Sequence, residues 1–162
     1  MAYRHLKAGV PVLVEKPVTL FPSQARELVE LGGIAFAGHT RLYSPAWRAF
    51  KASLPAVKSV ECSAGGTHRD PVWDWGPHLA SMCLDLGFDP RQARIRVRKA
   101  PERLSFVVNG VHRFEDVATN PEPLEVLLRE FSAAIALGEP NNAGLRLGAE
   151  VIEFLWGFHE SG

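Results

Sequence analysis

Two short apolar runs, Val10-Pro11-Val12-Leu13-Val14 and Ile34-Ala35-Phe36-Ala37-Gly38, bracket one amphipathic stretch, and no other feature restricts the fold of this chain as tightly. The first run is continuous and β-branched, the composition of a strand buried on both faces of a parallel sheet. Between the runs, residues 23–31 have helical spacing, with Pro22 at the first turn and Gly32-Gly33 as the stop. Strand, helix and strand at this length predict a βαβ unit, whose strands are parallel and whose crossover is right-handed. Lys16 and His39 then leave the sheet from the same edge, and open parallel sheets bind ligands at the carboxyl ends of their strands.

The character changes near Ser44. Trp47, Phe50 and Leu54 are spaced as on a helix, residues 57–62 alternate as a strand, and residues 73–86 predict a second helix. Residues 93–98 alternate strictly, with Arg94, Arg96 and Arg98 on one face, a solvated sheet face or a subunit contact. Asn109-Gly110 between residues 104–108 and 111–115 is a strong hairpin signal. Helices are expected over 123–137 and about 143–158, parted by the breaker run Gly138-Glu139-Pro140-Asn141-Asn142. The expected fold is therefore an α/β piece, residues 1–43, followed by an α+β domain with a mainly antiparallel sheet, residues 44–162.

Composition narrows the function classes. The formal net charge is zero, which leaves no basic surface for a phosphate backbone, so no nucleic-acid partner is expected. No apolar run approaches the ~20 residues that cross a bilayer, and residues 1–7 lack a signal peptide's apolar core. No membrane partner is expected, and a cytoplasmic location is the default. Cys62 and Cys83 are too few for a disulfide framework and are expected to be reduced and inert. His68, His78 and Cys83 match no recognised zinc spacing, so no metal site is expected.

Three segments carry a resemblance. Val12-Leu13-Val14-Glu15-Lys16-Pro17, then Gly38-His39-Thr40-Arg41-Leu42-Tyr43-Ser44-Pro45, then Trp73-Asp74-Trp75-Gly76-Pro77-His78 follow the order and spacing of the glucose–fructose oxidoreductase, inositol dehydrogenase and MocA family, and the likeness covers nearly the whole chain. The first domain then resembles the end of a Rossmann-type parallel sheet. The resemblance implies hydride transfer between NAD or NADP and a hydroxyl-bearing carbon of a sugar, cyclitol or related polyol.

It assigns Lys16 to the reacting hydroxyl and His78 to general acid/base work, a role suited to a group that titrates near neutrality. Asp74, four residues before His78, shares its face if the stretch is helical; Pro77 leaves open that Asp74 caps the helix instead. Glu15, Lys16, Pro17 and Arg41 are the expected cofactor contacts, with a cis peptide before Pro17, and His39, Tyr43 and Trp75 are the expected substrate contacts. Family habit also implies a homo-oligomer formed through the sheet of the second domain.

One element of the family is missing. No Gly-x-Gly-x-x-Gly turn occurs in the 162 residues, although such a turn at a helix N-terminus holds the cofactor pyrophosphate. A helix over 3–8 followed by only two strands is a poor free-standing start, so missing upstream strands are expected. The readings are an N-terminally truncated dehydrogenase, a non-catalytic sugar-binding or oligomerising module, or one chain of a pair whose other chain binds the nucleotide.

Overall fold

The computed structural model describes residues 1–67 and 70–160. By packing, the chain divides into two units, Met1–Thr40 with Leu124–Gly162, and Arg41–Pro123.

The first unit contains the βαβ motif. Strands β1 (Val12–Val14) and β2 (Ala35–Ala37) pair in parallel with Leu13 opposite Phe36, and helix α2 (Pro22–Leu31) connects them. Pro22 sits in the first turn of α2, where no N–H is missed, and Gly32 ends the helix at φ 66°, a conformation that costs glycine little. β2 is fully buried, but β1 is only half-buried, so the expectation of a first strand covered on both faces does not hold. The sheet has two strands, and the partial cover of β1 comes from helix α1 (Ala2–Lys7). The edge of β2 is met by the breaker run itself: Ala35 N–H donates to the Asn141 carbonyl at 2.8 Å, and Asn141 N–H to the Gly33 carbonyl at 3.0 Å.

Helices α5 (Pro123–Leu137) and α6 (Ala143–Glu160) form where the periodicity predicts them, but they group with the first unit rather than with the second domain. The cause is their apolar faces. α6 packs on α2 and β2, Phe131 meets Phe36 edge-on at 5.4 Å, and Arg26 pairs with Glu153 at 2.6 Å.

The second unit is a sheet with two helices on one face. Its strands are β3 (Val60–Gly66), β4 (Arg94–Lys99), β5 (Arg103–Val108) and β6 (His112–Glu115), ordered β4-β3-β5-β6. β3–β5 and β5–β6 are antiparallel and β3–β4 is parallel, so the sheet is mixed and mainly antiparallel. Asn109 (φ 53°) and Gly110 (φ 73°) form the hairpin turn read from the sequence. Trp47 of α3 (Pro45–Ala52) and Leu79, Met82 and Cys83 of α4 (Pro71–Asp85) pack on Cys62, Leu104 and Phe106. Ser44 caps α3 and Asp70 caps α4, its carboxylate accepting from the N–H groups of Val72 and Trp73. Cys62 and Cys83 are buried and unbridged, and a hydrogen bond with the Cys83 thiol, together with burial, pushes the Cys62 thiol well above its ordinary range.

Among the described residues, no helix is long and apolar enough to cross a membrane. No group of three histidine, cysteine or acidic side chains among them could hold a metal ion, and His68, one of the three residues weighed for zinc, lies outside them.

Candidate functional site

Each unit gathers part of the residues singled out in the sequence. In the first unit, Glu15, Lys16 and Pro17 follow β1 and His39 follows β2, so all four stand at the carboxyl edge of the parallel pair. The Lys16–Pro17 peptide is cis, as the resemblance implied. Glu15 lies tight against the turn after β2: a Cβ on Gly38 would come within 2.9 Å of its Oε2.

His39 is 2% exposed, and neither ring nitrogen has a hydrogen-bond partner among the described residues. Burial, and secondarily the Lys16 ammonium, hold its pKa at about 4 against an ordinary 6.5, so the ring is neutral at physiological pH. A buried imidazole normally has at least one partner, so two unpartnered nitrogens set this ring apart. Gly148 of α6 leaves room beside the ring: a Cβ there would fall 2.8 Å from Val18 Cγ1 and 3.4 Å from His39 Nε2.

In the second unit, α4 settles the question of Asp74. Asp70 is the cap and Pro71 opens the helix, so Asp74 lies in the first turn and shares a face with His78. Pro77 is within the helix, and α4 runs through it although the proline supplies no N–H toward the Trp73 carbonyl. His78 is 9% exposed, and its ring lies 5.7 Å from that of Trp75. Trp75 rests on the end of β3, where a Cβ on Gly66 would enter the indole.

Arg41 lies on the 3₁₀ turn Thr40–Tyr43, with its guanidinium 5.8 Å from the Trp75 ring centre and 2.5 Å from Asp116. Burial raises the Asp116 pKa more than Arg41 lowers it. The Arg41 Nε and Trp75 Nε1 donors are both buried without an acceptor among the described residues. Tyr43 turns to a different partner, the Arg48 guanidinium, 5.1 Å above its ring.

The second unit thus joins Arg41, Trp75 and His78, and adds Asp116, which sequence reasoning missed. Asp116 follows a strand in a loop, with no periodicity or motif to mark it. Gly66 and Gly148 were missed for a related reason: their importance lies in the side chain that occupies the space left by their missing Cβ.

Solved structures of the same fold are oxidoreductases of the Gfo/Idh/MocA type, a Rossmann-like domain joined to a second domain, and the likeness is one of fold. This chain has their fold. GenD2 of gentamicin A biosynthesis, in complex with NAD, superposes with a TM-score of 0.78 at 17% identity, over 99% of this chain and 71% of that one. UDP-N-acetylglucosamine 3-dehydrogenase GnnA from Acidithiobacillus ferrooxidans gives 0.73 at 18% identity, over 96% and 71%. KijD10, a 3-ketoreductase from Actinomadura kijaniata in complex with NADP and TDP-benzene, gives 0.74 at 13% identity, over 96% and 72%. No protein-family profile matches the chain, and no curated protein matches it in sequence.

Proposed function

We propose that this chain carries the substrate-handling residues of an NAD(P)-dependent oxidoreductase that acts on a hydroxyl of a sugar, cyclitol or related polyol. The observation that supports this most is His39, a neutral buried imidazole with two unpartnered nitrogens beside Lys16 at the carboxyl ends of parallel strands. The fold, shared with structures that hold NAD or NADP, supports it too.

The residues fit the nicotinamide end of the cofactor and not its pyrophosphate end. By the family resemblance, Glu15, Lys16, Pro17 and Arg41 would contact the nicotinamide, whereas no glycine-rich turn occurs in the 162 residues for the phosphates. When bound, the cofactor supplies the hydride acceptor. Lys16 donates a hydrogen bond to the reacting hydroxyl and steadies the negative charge growing on its oxygen. His78 takes the hydroxyl proton, and Asp74, one turn away, orients the imidazole or shares a substrate hydroxyl with it. His39, Tyr43 and Trp75 contact the substrate, the indole offering a flat face to a sugar ring.

Calorimetric titration with myo-inositol and simple sugars tests the reading. The expected result is saturable binding of at least one of them, weakened about tenfold or more in Lys16→Ala and in His78→Ala. Absence of binding, or binding indifferent to both substitutions, sinks it. The alternative reading is a non-catalytic sugar-binding or oligomerising module, or one chain of a split dehydrogenase. NAD and NADP are expected not to bind tightly to this chain alone, and hydride transfer from a bound polyol to added nucleotide would exclude the module.

A further inference from the structure

Within the second unit, Arg41 on its 3₁₀ turn and Asp116 in the loop after β6 are joined by one ion pair of 2.5 Å. The pair is end-on. Asp116 takes Nη1 of the guanidinium, whereas Nε has no acceptor among the described residues, so the two-point clasp that such pairs frequently make is absent. The guanidinium lies 5.8 Å from the Trp75 ring centre, and the indole is itself fixed, 7% exposed and seated in the space that Gly66 leaves open. Arg41 is thus held at one end by charge and along one side by an aromatic ring, while its side chain stays 30% exposed. A fork of five N–H donors that has committed one nitrogen to a carboxylate has donors left for an oxygen from solution.

Asp116 is placed there at a cost. Its side chain is 14% exposed, and burial raises its pKa more than Arg41 lowers it, so the fold gains little from the pair. What the carboxylate does achieve is to cancel the charge of the guanidinium beside Trp75. An incoming carboxylate or phosphate would feel the attraction of Arg41 and, only slightly further off, the repulsion of Asp116. The two nearly offset, and the desolvation of the ligand's charge is left uncompensated. A hydroxyl or carbonyl oxygen gives up far less hydration and accepts from the remaining N–H groups.

We propose that Asp116 is a specificity-determining residue: by neutralising Arg41 it fits that guanidinium to an uncharged oxygen of the substrate and rejects sugar acids and sugar phosphates. The inference rests on the polyol reading above and adds a substrate contact to Arg41.

Glucose and glucuronate, which differ in carrying a hydroxymethyl or a carboxylate on the same ring carbon, test it by calorimetric titration of the full chain at low ionic strength. Wild type is expected to bind glucose at least about tenfold tighter than glucuronate. Asp116→Asn, of the same size but uncharged, moves that ratio at least about tenfold toward glucuronate; Asp116→Glu restores the wild-type preference, and Arg41→Ala in the Asp116→Asn background removes the gain. An ion pair that served the fold alone would lower stability in these variants without changing the ratio. Wild type that takes glucuronate as tightly as glucose, or a ratio that Asp116→Asn leaves unchanged, overturns the inference. If wild type binds neither sugar, the polyol reading fails by itself and the carboxylate arm still decides. Glucuronate or acetate bound by Asp116→Asn, and lost again with Arg41→Ala, then upholds the role of Asp116, and no gain overturns it.

Discussion

His39 shows how one residue's surroundings become a measurable property. Its folded pKa is depressed to about 4, so folding favours the neutral ring, and the resulting stability is fully present above pH 6.5. It is lost as pH falls from 6.5 through 4, by about 3 kcal/mol in total. Urea unfolding of wild type and His39→Leu across this range is expected to show wild type losing about 3 kcal/mol relative to the variant as pH falls from 6.5 through 4. A constant difference would mean that the ring is not buried neutral. Gly66 makes a second residue-scale case. Gly66→Ala forces Trp75 off the end of β3, at a cost of about 1–3 kcal/mol, and tryptophan fluorescence with a thermal melt would report both effects.

Elements were the most legible level of this sequence. Pro22 at the start of α2, Gly32 at its end and Asn109-Gly110 in the hairpin act within a few residues of themselves, so their local chemistry can be read without tertiary knowledge. The start of α4 was read less well, because Asp74 and Pro77 look like a cap and a first-turn proline. Asp70 and Pro71 offer the same pair four to six residues earlier, and the structure uses those. Asp70→Ala is accordingly expected to lower stability by about 1 kcal/mol, whereas Asp74→Ala, which removes no cap, costs less. Chemical denaturation of the two variants separates them.

At the scale of the molecule, patterning gave the elements but not that α5 and α6 pack with the first unit. Amphipathic periodicity shows that α5 and α6 each have an apolar face but not which surface it covers, and contacts across more than a hundred residues leave no local mark. The candidate site was legible for a similar reason and to a similar extent: the strand tips and the Asp74–His78 spacing are local, whereas the Arg41–Asp116 pair joins distant segments. Leu145→Ala in α6, at a fully buried position, should cost about 2–5 kcal/mol. Hydrogen exchange is expected to place the loss in β1, β2 and α2 of its own unit and to leave β3 and β5 protected.

The central proposal is that Lys16 and His78 serve one polyol substrate. It is tested most directly by following the imidazole nitrogens of the six histidines by NMR while myo-inositol or a simple sugar is added. The account predicts that His39 and His78 shift together along one saturation curve, and that Lys16→Ala weakens both responses equally. Shifts confined to His5 or His112, or a His78 response that Lys16→Ala leaves untouched, would contradict it.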